Sequence, residues 1–414
     1  MLRLAKTALW LLIFSLPFMK HGILVGGLQV IPSDLIFAVA AAALAGAIAT
    51  GEAKLRWNPF YGVLAVYFAA MLVSALASAD PSHSALKLAS QVYLLSLPIL
   101  VCTLIDSRDD LRFALSSWLA GTAIVAALGT LAVLLFGLGV EGPLVDYALH
   151  PFGTLPPGDY PRLEATFAFP AMLCNYLTVS LMIVLVARRL GWLRTAPYYL
   201  LLAGIGVTAL FTLTPGLGGF LLVIALWIYL VLRDRSRILA NTALVAGGTA
   251  AVLFVLVAMV TPIIHPTAPF LIHVPGIEQD VAPAVRMMTW MDAWRNFVGH
   301  PLIGTGIGSD AVTVRYVDPS GFLHVLTDAH NVFLNFAVQC GLVGVTAMIL
   351  LIVRVARITG PLALGGANAV RLGLGLAWLS AFAYEGMTGS YEDARHLWVL
   401  LGLLLASARL EVRE

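Results

Sequence analysis

The sequence predicts an all-α polytopic membrane protein of about twelve transmembrane helices. Three observations carry this reading. Apolar residues make up 60% of the 414-residue chain and charged residues only 11%, less than half the share a soluble domain carries. Mean hydropathy is +0.93. Apolar runs recur along the whole chain, many near the 20 or so residues that one bilayer crossing takes. These figures exclude a water-soluble globule and a disordered chain. The net charge of +2 offers no basic patch of polyanion size, so nucleic acid is excluded as a partner.

The apolar runs lie near 7–19, 34–50, 58–78, 87–104, 113–138, 166–187, 197–214, 217–232, 238–262, 331–352, 371–386 and 396–408. Met1-Leu-Arg-Leu-Ala-Lys6 before the first run has the charge layout of a signal peptide. It lacks a small-residue cleavage site, so it reads as an uncleaved first helix. Cys102, Cys174 and Cys340 all fall inside apolar runs, odd in number and without metal-ligand spacing; no disulfide framework or metal site is expected. No repeat or low-complexity tract divides the chain, which reads as one membrane domain over 1–414.

Orientation follows from the basic residues. With a cytoplasmic N-terminus, 17 of the 24 Lys and Arg fall on the cytoplasmic side, the bias expected of a correctly oriented protein. Both termini are then cytoplasmic. Two external loops are long, about 139–165 and about 263–329. All nine histidines lie outside the runs or at their outer edge, which reflects either the interfacial preference of imidazole or chemistry that faces outward.

Arginines on the external side run against that bias and call for a reason. Arg162 precedes the sixth run. Arg286 opens a stretch with Met287, Trp290, Met291, Trp294 and Val298 at helical spacing, an amphipathic surface helix whose apolar face meets lipid or the helical bundle. Arg286 and Trp290, one turn apart, share a face. Two roles are open to these arginines. They snorkel to lipid phosphates or pair with Glu164, Asp280 or Asp292, or they form fixed forks that bind a diphosphate.

The tenth run opens with Asp328-Ala-His330-Asn331. Asp328 suits an N-cap, and His330 then sits in the first helical turn, where the macrodipole disfavours imidazolium. A neutral ring there is available as a base; the bland alternative is an interfacial hydrogen-bonder. Gly341 and Gly344 further on permit close helix packing. Gly299-His-Pro-Leu-Ile-Gly304-Thr-Gly306-Ile-Gly308 follows no strand, which excludes a dinucleotide site. Its glycines serve either as an anion cradle of backbone N–H groups or as a hinge.

In this order the pieces resemble the O-antigen ligase and polymerase family of bacterial envelope glycosyltransferases. The likeness is strongest over 280–345: Arg286, Trp290, His300-Pro-Leu-Ile-Gly304-Thr-Gly306, His330-Asn331-x-x-Leu334 and Gly341-x-x-Gly344. It extends to Arg162 through Asn175-Tyr-Leu and to Arg395-His-Leu-Trp398. The resemblance implies a GT-C type enzyme in the bacterial inner membrane that takes a glycan from undecaprenyl diphosphate at the periplasmic face. It implies no cofactor and no metal. Arg286 would hold the diphosphate and His330 would be the catalytic histidine. Arg162, Trp290, Asn331, Gly304 and Gly306 would bind the diphosphate or lipid. The acceptor would be lipid A-core or a second lipid-linked glycan. The chain departs from the family pattern twice. Thr212-Leu-Thr214-Pro215-Gly216 lacks the arginine common at that turn, leaving Arg162 or another external cation to replace it, and Gln339 stands where glutamate is frequent.

Three functions compete. A ligase delivers the glycan to lipid A-core, and a polymerase joins lipid-linked repeats; the motifs describe the donor side that both share. A transporter would concentrate ionisable groups near the midplane, where Asp34 and Glu385 are the main candidates.

Overall fold

The computed structural model describes every residue except 21, 26–27, 151–161, 215, 261–271, 275–278, 282–284, 318–322, 363–367, 390–393 and 413–414. Parts of both long loops, and the side chain of Asp280, therefore lie outside the described residues.

A helix occupies each of the twelve apolar runs: α1 (Leu2–Ser15), α2 (Pro32–Ala49), α3 (Tyr61–Leu76), α4 (Pro81–Leu104), α5 (Arg108–Gly137), α7 (Pro170–Arg189), α8 (Thr195–Leu210), α9 (Leu217–Leu232), α10 (Arg237–Val260), α12 (Val332–Thr359), α13 (Asn368–Thr388) and α14 (Arg395–Val412). Six of them, α2, α4, α5, α7, α10 and α12, are long and apolar enough to cross a membrane. Two further helices stand in the long loops, the short α6 (Pro143–Ala148) and α11 (Val285–Gly299). The fold is mostly helical but not wholly so. Three small antiparallel hairpins accompany the helices: β1 (Ile23–Val25) with β2 (Leu28–Val30), β3 (Ile272–Val274) with β4 (Gln279–Val281), and β5 (Val314–Val317) with β6 (Leu323–Leu326). The sequence anticipates amphipathic helices in the 263–329 loop; the described part holds one helix and two hairpins.

The centre of the bundle is α7. A helix apolar on every side belongs inside, and α7 buries every residue from Leu173 to Ala187. Polar side chains fasten its neighbours to it. Trp118 Nε1 of α5 donates to Ser180 Oγ at 2.9 Å. Asn175 Nδ2 donates to the Ala381 carbonyl of α13 at 2.9 Å, and its Oδ1 lies 2.6 Å from His396 Nε2 of α14. In an apolar interior such groups are costly unless partnered.

Contacts between connecting segments sort the loops into two sets. One joins the Met1 amine to Glu52 (2.9 Å), Lys6 to Asp110 (2.7 Å), Arg56 to Asp106 and Arg371 to Glu411 (3.1 Å). The other joins Lys20 to Glu164 (2.7 Å) and Asp34 to Arg395 (2.7 Å). No contact here crosses between the sets, as an alternating up-and-down bundle requires. The first set is the end the basic residues assign to the cytoplasm. Arg162, Arg286 and His330 lie with the second.

One helix is broken. Gly341 in α12 adopts φ 62° and ψ −161°, a left-handed conformation that a side chain would resist. The break bares backbone groups on either side, and residues 301–309 meet them. Leu342 N donates to Pro301 O (2.8 Å), Val343 N to Leu302 O (3.2 Å), Thr305 N to Val338 O (2.9 Å) and Gly306 N to Gln339 O (3.1 Å). Gln339 Nε2 adds a bond to Ser309 O at 2.8 Å. Gly341 is thus a docking notch for a loop rather than the close helix-packing position its spacing suggests.

Candidate active site

The site is assembled where α11, the start of α12 and the α8–α9 turn meet. Asn331, not Asp328, caps α12: its side chain accepts from Phe333 N (3.0 Å) and Leu334 N (3.1 Å). The anticipated N-cap therefore shifts three residues, because asparagine fits that role equally well. His330 falls one residue outside the helix, with φ 49°. Asp328 shapes this turn instead. It accepts from His330 N and from Asn335 Nδ2 (2.8 Å), and its Oδ1 lies 3.6 Å from His330 Nδ1.

Ala165, Leu213 and His330 are the non-glycine residues with positive φ among those described. All three lie in segments that build this site. Such backbone is costly and tends to gather where geometry serves function.

The imidazole is 44% exposed, yet burial is the largest influence on its titration. Burial pushes the pKa below the ordinary 6.5, the Arg286 guanidinium pushes it the same way, and Asp328 opposes both. The downward push anticipated from the helix dipole comes here from burial and a neighbouring cation.

Arg286 lies on α11, whose side chains grip the residue before His330. Trp290 Nε1 donates to Ala329 O at 3.0 Å and Thr289 Oγ1 at 3.3 Å. Trp290 is therefore turned inward as a clasp on the histidine turn. Arg286 itself has a buried Nη1 with no hydrogen-bond partner. Of the acids anticipated as its partners, Asp292 instead accepts from Thr313 N at 2.9 Å. Burial lowers the Arg286 pKa, as does the charge on Arg162, while Tyr384 opposes them. A buried guanidinium with an unmet N–H and a second cation near enough to lower its pKa could together receive an anion.

Arg162 reaches the turn where the family arginine is missing. Its Nε donates to Thr212 O in a long bond of 3.4 Å, and Leu163 N donates to Phe211 O at 2.8 Å. Burial lowers its pKa, against Glu164 and Tyr384. Glu164 does not close on Arg162; it is bound by Lys20 at 2.7 Å and His150 Nδ1 at 2.5 Å.

Tyr384 of α13 is the residue that sequence reasoning missed. Its hydroxyl donates to Ala171 O at 2.7 Å and lies 3.2 Å from Thr214 Oγ1. A Cβ at Gly216 would stand 1.7 Å from the Tyr384 ring, so this turn is glycine because the phenol passes through it. The one signal was the glycine cluster 216, 218 and 219, which announces a close approach without naming what approaches.

Two proposed binding residues sit elsewhere. Gly304 N donates to His300 O (3.1 Å) and Gly306 N to Gln339 O, so neither amide is left for an anion. A Cβ on Gly304 would come within 2.3 Å of the Gln339 backbone. The first two turns of α12, Val332 to Gln339, about 11 Å, lie between them and His330. These glycines dock the loop onto broken α12, and Asn331 is occupied as its cap.

No curated protein matches the chain. Residues 198–349 match the O-antigen ligase family model, a span that takes in the Thr212–Gly216 turn, Arg286, Trp290 and His330 but neither Arg162 nor Tyr384. The motif resemblance is thereby borne out over residues 198–349, where the chain is similar to the O-antigen ligase family.

Proposed function

We propose that this protein is a multi-pass inner-membrane glycosyltransferase that moves a glycan from undecaprenyl diphosphate to an acceptor sugar, lipid A-core in the ligase reading, at the periplasmic face. The observation that carries this reading is the pairing of two partly buried guanidiniums, one with an unmet N–H, beside a histidine held neutral. A glycosyl diphosphate brings its own leaving group, so the carboxylic acid that glycosidases need is dispensable. What remains is a base for the acceptor hydroxyl and positive charge for the departing diphosphate.

In the proposed step the acceptor oxygen attacks the anomeric carbon while the bond to the diphosphate breaks. The proton passes to Nε2 of His330, with Nδ1 directed to Asp328. Burial and Arg286 keep the ring neutral beforehand. Asp328, 3.6 Å away, steadies the imidazolium once it forms. Arg286 and Arg162 take the charge gathering on undecaprenyl diphosphate. Single displacement inverts the anomeric centre. A transporter would need its charged groups free near the bundle's middle, and Asp34 is instead bound by Arg395 and Tyr93.

The test is transfer by protein reconstituted in vesicles with a lipid-linked donor. His330→Ala should lower transfer by about 10²–10⁴-fold while donor binding and thermal unfolding stay at wild-type values. Full transfer by that variant overturns the assignment.

A further inference from the structure

The helix that carries Arg286 has a second face. Inward, Met288 and Ala293 pack with Ala311, Val312, Val314 and Ala329. Outward, Met291, Trp294 and Val298 follow one another at three- and four-residue spacing, and Trp294 and Val298 are each 57% exposed. The strip runs past the end of the helix to Leu302, 67% exposed. Leu302 O accepts from Val343 N, and Leu342 and Val343 are themselves exposed on α12, one of the helices able to cross a bilayer. Exposed apolar side chains therefore lead from the flank of α12 by way of Leu302 toward α11. Exposed apolar strips of this kind mark contact surfaces, and tryptophan at the rim of a membrane segment is where the lipid–water boundary favours it.

We propose that the outer face of α11, Met291, Trp294 and Val298 continued by Leu302, is seated in the interfacial layer of the bilayer at the end where the site lies. The occupant of this face is lipid, because the strip adjoins the exposed apolar flank of α12, a helix long and apolar enough to cross a bilayer. Seating sets the height of the site. The same helix clasps Ala329 through Thr289 and Trp290, so immersing one face fixes Arg286 and His330 at the depth of lipid phosphates. This inference concerns placement and holds whatever group is transferred.

The test uses the full chain in phosphatidylethanolamine/phosphatidylglycerol vesicles. Trp294→Cys and, separately, Val298→Cys are labelled with an environment-sensitive nitrobenzoxadiazole. The native cysteines are buried, and wild-type protein gives the labelling background. A lipid carrying a nitroxide near its headgroup is expected to quench both labels several-fold more than aqueous iodide does. Stronger quenching by iodide at either position overturns the proposal. So does resistance to both quenchers, since a label shielded from water and lipid alike lies under protein. The readout is optical, so loss of transfer does not bear on it.

Discussion

Two groups of charged side chains lie at the same end of the bundle and are treated in opposite ways. Asp34 is gripped by Arg395 at 2.7 and 3.0 Å and by Tyr93 at 2.7 Å, and Glu164 is gripped by Lys20 and His150. Arg286 and Arg162, by contrast, lie near enough for one to act on the other's charge, with no carboxylate closed upon either among the described residues and one N–H of Arg286 unmet. Charges taken out of water are normally paired. The first group obeys that rule and holds helices together. The second departs from it, which is what the proposed diphosphate site requires. Arg162 is tied to Thr212, and Tyr384, which acts on the charge of both arginines, lies beside Thr214.

Substitutions at three positions can break or sharpen this contrast. The largest effect is expected from Arg286→Ala, which removes the open cation: transfer should fall about 10²–10³-fold, with donor binding weakened in parallel. Arg286→Lys should recover only part of this, because a point charge cannot reproduce the fork. Undiminished donor binding in the alanine variant would show that the open pair does not hold the diphosphate.

Next comes Arg395→Ala in the closed group. It strands Asp34 and should cost about 3 kcal/mol of stability, read as earlier thermal unfolding in detergent. Transfer per folded molecule should be unchanged; its collapse in folded protein would erase the distinction between the two groups.

The smallest effect is a displaced pH profile. A base works when neutral, so transfer should rise with pH through the His330 pKa, at a midpoint below the ordinary value of about 6.5. Asp328 opposes that depression, so Asp328→Asn should move the midpoint to lower pH and reduce the plateau rate only several-fold. A midpoint that moves upward would remove Asp328 from any contact with the ring.

The helices were legible in the sequence because a bilayer imposes one strong rule, a long apolar run, on each of them. Arg286 and Arg162 stand out in the sequence because charge on the external side runs against the orientation bias, and His330 because it opens an apolar run. What escaped depends on partners far along the chain. Asp328 and Asn331 are both good caps, and only the bond between Asp328 and Asn335 decides between them. Gly304 and Gly306 look the same whether they cradle an anion or dock on Val338 and Gln339. Tyr384 sits in an apolar run 168 residues beyond the Gly216 it threads past, and no local pattern joins the two. Physical chemistry written in adjacent residues is readable; chemistry written across the fold is not.

The notch at Gly341 has a consequence for how the molecule is assembled and how it can be re-engineered. Backbone groups unmet in lipid cost several kcal/mol each, so α12 cannot mature alone and then receive its cap. During synthesis residues 301–309 leave the ribosome before 338–343, and the donors and acceptors that complete the helix precede it. A chimera that exchanges the extramembrane segment between related enzymes must carry the 338–343 stretch in the same cassette. Grafts cut at the membrane boundary would leave the helix unfinished and invite degradation.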